Sequence, residues 1–148
     1  MSVYGDKAQA LFKEGYNCAQ AVLLAFEDVT GLDKEVASSI SSSFGGGLGR
    51  MREVCGAVSG AAMVLGIVNG KYPPEDHSAK SAHYKLVQKF AEKFKEENGS
   101  IICRELLKGT GSVSGNTPEK RTGSYYKKRP CPLIVKSSAD ILAKMLDL

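Results

Sequence analysis

The sequence predicts an all-α fold: one domain over residues 1–148, a bundle of about six or seven helices, with a long Gly/Ser/basic loop before the last. Three observations predict it. Apolar residues recur at intervals of three and four along most of the chain, the period of a helix that buries one face. No run alternates apolar and polar residues as a half-buried strand requires. Gly, Asn and Pro fall between the periodic stretches, where helices stop and start.

Tyr4, Ala8, Leu11 and Phe12 mark the first helix, with Lys7, Gln9 and Lys13 on its other side. Gly15 interrupts it, and Asn17 is placed to cap a second helix whose stripe is Cys18, Val22, Ala25, Phe26 and Val29, ending near Thr30-Gly31. Asp33 caps a third through Ser43, ended by Gly45-Gly46-Gly47-Leu48-Gly49. The fourth takes Val54 to Val68, with Asn69-Gly70 closing it. Gly within a helix costs roughly 1 kcal/mol against Ala, so Gly56 and Gly60 point to a packing reason, the close approach of another backbone.

Pro73-Pro74 opens the longest helix, Glu75 to Glu97, with Ala79, Ala82, Leu86, Phe90 and Phe94 along one face. Its exposed side offers a surface for a homodimer. Asn98-Gly99 closes it, and Ser100 caps a short helix from Ile101 to Lys108 that carries Cys103. Gly109 to Lys128 reads as one irregular segment, of a length that marks functional or mobile loops. It delivers Pro130-Cys131-Pro132, a thiol on a loop with the backbone fixed on both sides. Ser137 caps the last helix, with Ile141, Leu142, Met145 and Leu146 as its stripe.

A domain of 148 residues buries about 68–70% of its unfolded surface, so disulfides are not needed for folding. The net charge of +4, from 20 Lys and Arg against 16 Asp and Glu, falls short of a nucleic-acid binder's footprint. The opening MSVYGDKAQALFKEG lacks a signal peptide's basic, apolar and small-residue order, and a cytoplasmic protein is expected. Val54 to Val68 is shorter than the ~18 residues of a membrane helix and holds Gly and Ser, so no membrane insertion is expected.

Four cysteines without an export signal point to free thiols, metal ligands or redox centres. Cys18, Cys55, Cys103 and Cys131 lie 37, 48 and 28 residues apart, without the Cys-x-x-Cys spacing of zinc fingers or thioredoxin-like sites. Buried cysteines also serve simply as small apolar side chains. Their local positions argue for more: Cys18 and Cys55 fall at helix starts, where backbone N–H groups and the dipole favour a thiolate, and Arg50 and Arg52 act in the same direction. The glycine run resembles a phosphate loop but lacks both G-x-G-x-x-G and a terminal Gly-Lys-Ser/Thr. His77 and His83, on different faces of the long helix, are read as a surface and a partly buried residue.

Gly15-Tyr16-Asn17-Cys18-Ala19-Gln20, then Gly45-Gly46-Gly47 with Cys55-Gly56-Ala57-Val58-Ser59-Gly60, then Cys103-Arg104-Glu105-Leu106 and Cys131, resemble the blocks of a family of small redox-active proteins named for the pattern C_GCAxxG_C_C. The resemblance covers nearly the whole chain and implies a helical domain with cysteine-based redox chemistry, acting with a redox partner protein or a small-molecule oxidant or reductant.

Two chemistries are open. In one, Cys18, Cys55, Cys103 and Cys131 converge on an iron–sulfur cluster or zinc, with Gly45, Gly46, Gly47, Gly56 and Gly60 giving clearance and Arg50, Arg52, Arg104, Lys127, Lys128 and Arg129, all close in sequence to a cysteine, offsetting the sulfur charge. In the other, Cys55 is the attacking thiolate of a dithiol pair, with Cys131 as a mobile partner. A third reading makes the basic segment Lys120 to Arg129, within a stretch from Arg104 to Arg129 that is net +5, the contact surface of a non-enzymatic binding module.

Overall fold

The computed structural model describes residues 2–148, and the described residues form nine α-helices and no strand. They are α1 (Val3–Lys13), α2 (Cys18–Ala25), α3 (Glu27–Thr30), α4 (Lys34–Ser41), α5 (Gly56–Asn69), α6 (His77–Asn98), α7 (Cys103–Leu106), α8 (Gly123–Lys128) and α9 (Cys131–Met145); α4 runs into a 3-10 turn at Ser42–Phe44.

A helix that is apolar all round must be covered on every side, and α2 is such a helix. Ala19 and the whole run from Ala21 to Ala25 are buried, with α1, α4, α5 and α9 packed around them. The rest of the core comes from Phe12, Phe26, Val64, Leu65, Phe90, Phe94, Val135 and Leu142, drawn from along the whole chain.

Close contact between α2 and α5 depends on the glycines of α5. A methyl group on Gly60 would stand 2.6 Å from the Ala19 carbonyl oxygen, and one on Gly56 would stand 2.9 Å from the Phe44 carbonyl and 3.0 Å from Cys18 Sγ. Both glycines therefore have the packing reason their helix cost implied. Among the described residues no helix is long and apolar enough to cross a membrane.

Several boundaries differ from the sequence reading. The second helix breaks at Phe26, and a separate turn, α3, ends at left-handed Gly31. In α6 the inward face is rotated, so that Ala82 is exposed and His83 is buried beside Asn69 and Tyr72; His77 is on the surface. The segment from Gly109 to Lys128 is not irregular throughout: Thr122 accepts from the Tyr125 N–H and caps α8.

The largest correction concerns Cys131. It lies not on a loop but at the first position of α9, six residues before Ser137. Pro130 and Pro132 are compatible with this because the first turn of a helix has N–H groups without intrahelical partners, so a missing one is not felt.

Candidate functional site

All four cysteines stand at helix N-termini. Cys18 opens α2, Cys55 is the N-cap of α5, Cys103 opens α7 and Cys131 opens α9. All four line a single cavity of about 350 Å³. Cys55 and Cys103 are buried, while Cys18 and Cys131 are partly so, and all four are free thiols.

Local interactions fix each one. Asn17 and Gln20 form a reciprocal capping box at the start of α2, and Asn17 Nδ2 also donates to the Ser42 carbonyl at 3.0 Å, which ties the Cys18 turn to the start of the 3-10 segment. Cys55 and Cys103 share an isolated antiparallel bridge between Val54 and Ile102, in which the Cys55 N–H donates to Ile101 at 2.8 Å and the Cys103 N–H to Glu53 at 2.7 Å. The two cysteines are thus diagonal neighbours on one face of a short ladder, a relation that corresponds to about 7–8 Å. Ser138 of α9 donates to the Ala57 carbonyl at 2.8 Å and docks the Cys131 helix against the start of α5.

The glycine run wraps this cluster in a left-handed turn. Gly46, Gly47, Leu48, Gly49 and Arg50 all have positive φ, between 52° and 72°, and Arg52 follows at 62°. Such a conformation costs L-residues roughly 1–2 kcal/mol each, so Leu48, Arg50 and Arg52 are held in it by the surrounding bonds. Those bonds run from Gly49 N to Ser43 O (2.8 Å), from Arg52 N to Gly46 O (3.0 Å) and from Glu53 N to Gly47 O (2.8 Å). A methyl on Gly47 would meet Cys103 Cβ at 2.7 Å, and one on Gly45 would meet the Asn17 side chain at 2.6 Å. The turn lies directly against two cysteine segments.

Its arginines point inward. Arg52 Nη1 lies 3.7 Å from Cys103 Sγ, while Arg52 Nε and Nη2 donate to the Val113 carbonyl. Arg50 donates to the carbonyls of Gly115 and Val113. Arg121 and Arg129, embedded in the basic segment, also line the cavity; Arg121 donates to the Phe12 and Tyr16 carbonyls and covers the Phe12 ring at 4.1 Å. Four arginines and one acid, Glu119, are among the lining residues, a net +3 while the thiols are neutral. Of the cations that sequence reasoning placed near a cysteine, Arg50, Arg52 and Arg129 line the cavity and Arg104, Lys127 and Lys128 do not; it missed Arg121 and Glu119, for which the only available signal was the density of charge before Cys131.

Burial opposes ionisation of these thiols. Desolvation and the neighbouring sulfurs push Cys55 well above its ordinary value and raise Cys18; they push Cys131 up to about 12. Backbone N–H groups counteract this only in part, from Gly46 toward Cys18 and from Ala57 toward Cys55. Across the cluster, every pair of the four sulfurs contributes to these shifts, so each thiol lies near enough to oppose ionisation of the others. The thiolate expected at the start of α5 is therefore a buried thiol in the metal-free chain.

The donor set is chemically uniform: four sulfurs, with neither histidine among the cavity's lining residues. It is the set that soft metal centres use. Among the described residues, no group of three or more His, Cys, Asp or Glu is arranged to hold a metal ion as the chain stands.

The model of a family described as "Putative redox-active protein (C_GCAxxG_C_C)" matches residues 16–145. No curated protein and no solved structure matches the chain.

Proposed function

The chain belongs to the C_GCAxxG_C_C family of redox-active proteins, and from that premise we propose that Cys18, Cys55, Cys103 and Cys131 are the ligands of an iron–sulfur centre used in electron transfer. The observation that carries this reading is the meeting of four cysteines, each from a different helix N-terminus, in one arginine-lined cavity. Bound there, such a cluster would supply one-electron chemistry.

The protein's contribution follows from its own residues. Four thiolates around an oxidised two-iron cluster would leave a net charge of about −2, which the +3 of Arg50, Arg52, Arg121, Arg129 and Glu119 offsets. The N–H groups of Gly46 and Ala57 and the Arg52 guanidinium place donors at sulfur, an arrangement that tunes reduction potential. Gly56, free of a side chain, leaves room for Cys18 Sγ.

Iron–sulfur is preferred to zinc because zinc has no redox chemistry, whereas the matched family is described by redox activity and an iron–sulfur cluster carries electrons.

Dithiol exchange with Cys55 as attacking thiolate is less well supported, because burial holds that thiol protonated at neutral pH. The basic-surface reading is weakened too, since Arg121 and Arg129 are engaged with partners in their own chain.

Anaerobic reconstitution with ferrous iron and sulfide, followed by iron and sulfide analysis and visible absorbance, tests the proposal. A coloured protein with bound iron supports it, and a colourless protein that retains no iron removes it.

A further inference from the structure

We propose that Arg50, Arg52 and Arg129 form a binding site for a small inorganic oxyanion at the mouth of the thiol cavity, and that Glu119 fills this site from within the chain. A single carboxylate oxygen, Glu119 Oε1, serves all three guanidinium groups: it pairs with Arg129 and stands 3.6 Å from Arg50 Nη2 and 3.7 Å from Arg52 Nη2. Three cations against one anion leave an excess of two positive charges, and no other acid lines the cavity.

The cations are fixed and the anion is not. The Arg52 and Arg129 side chains are 9% and 5% exposed, and Arg129 is further held over the Tyr125 ring at 5.1 Å. Glu119 is 37% exposed and sits on residues 109–122, none of which is buried or helical. Between Gly111 and Lys120 that segment is tied to the body through the arginines themselves, which also take its Val113 and Gly115 carbonyls, while Arg121 anchors its far end on the Phe12 and Tyr16 carbonyls. Releasing Glu119 therefore forfeits little apolar packing, the mark of a segment that opens at low cost.

Guanidinium groups recognise planar and tetrahedral oxyanions through paired N–H donors, and an ion with three or four oxygens can serve three arginines where Glu119 offers one oxygen atom. Sulfate and phosphate have this chemistry and carry the charge needed. Arg52 also faces Cys103 Sγ, so an anion held there lies beside the thiols. The site involves only the arginines and Glu119, and it belongs to the chain with neutral thiols, in which the sulfurs claim none of the arginine charge.

Titration calorimetry of the reduced, metal-free full chain with sodium sulfate and sodium phosphate, against chloride at matched ionic strength, tests the proposal. Because Glu119 competes for the site, Glu119→Gln is expected to bind sulfate about tenfold more tightly than the parent chain. Adding Arg50→Gln to that variant is expected to reverse the gain. Sulfate binding that Glu119→Gln leaves unchanged, or that persists after Arg50→Gln, overturns the site.

If Glu119→Gln does not fold, trypsin cleavage at Lys120 in the parent chain answers the same question. Sulfate is expected to speed it severalfold over chloride at equal ionic strength by freeing the loop, and an unchanged rate overturns the proposal.

Discussion

Val54 and Ile102 face each other across the one antiparallel bridge among the described residues, and this pairing holds Cys55 beside Cys103 although 48 residues separate them. The bridge is a small element with a large role, because α7 is a single turn and has little of its own to anchor it. Its two hydrogen bonds engage the amides of the cysteines themselves, so sulfur position and backbone pairing are coupled.

Hydrogen exchange follows from that coupling. The Cys55 and Cys103 amides, bonded to Ile101 and Glu53, are expected to exchange on the order of 10² more slowly than the amides from Gly111 to Asn116, which lie in an unburied segment. Residue-resolved exchange by NMR measures it. Equal rates in the two regions would mean that the bridge is not a stable element.

Gly60→Ala probes the approach of α2 to α5. The added methyl meets the Ala19 carbonyl, a backbone atom within a fully packed helix, so the expected loss of stability is about 1–3 kcal/mol despite alanine's better helix propensity. Urea denaturation reads it. A variant as stable as the parent, or more stable, would show that the two helices can separate without cost.

The pH dependence of the reduced, metal-free protein follows from the buried thiols. Cys131 titrates at about 12 in the fold against an ordinary 9.0, and Cys18 and Cys55 are raised in the same direction. The folded chain therefore binds these protons more tightly than the unfolded chain does. Their contribution is complete below about pH 9 and is lost as pH rises toward 12. Denaturation midpoints are expected to fall across that window, with a shallower fall in Cys131→Ser. Midpoints that stay flat up to pH 11 would contradict the burial of these thiols.

Much of the fold was legible because its determinants are local. Asn17 and Asp33 act as the caps their positions suggested, and of the expected stripes Ala8, Phe12, Val22, Ala25, Phe26 and Leu142 are buried while Tyr4, Leu11, Cys18, Val29, Ile141, Met145 and Leu146 are half-buried against them. The rotation of α6 was not legible, since Ala82 and His83 are adjacent and only the partners Asn69 and Tyr72 decide which one turns inward. Of the site, the four cysteines and the role of Gly56 and Gly60 could be read from residue type and position. The start of α9 at Cys131 was obscured by flanking prolines that suit a loop and a first helical turn equally. The Val54–Ile102 bridge and the convergence of Arg129 and Glu119 on Arg50 and Arg52 are long-range pairings that leave no periodic trace in the chain.

The central claim is that four cysteines surround one metal centre, and iron K-edge X-ray absorption on the anaerobically reconstituted protein tests it most directly. The account predicts an iron shell made of sulfur alone, with bound iron lost in Cys18→Ala, Cys55→Ala, Cys103→Ala and Cys131→Ala. A shell containing nitrogen or oxygen ligands, or iron retained unchanged when any of the four is removed, would contradict it.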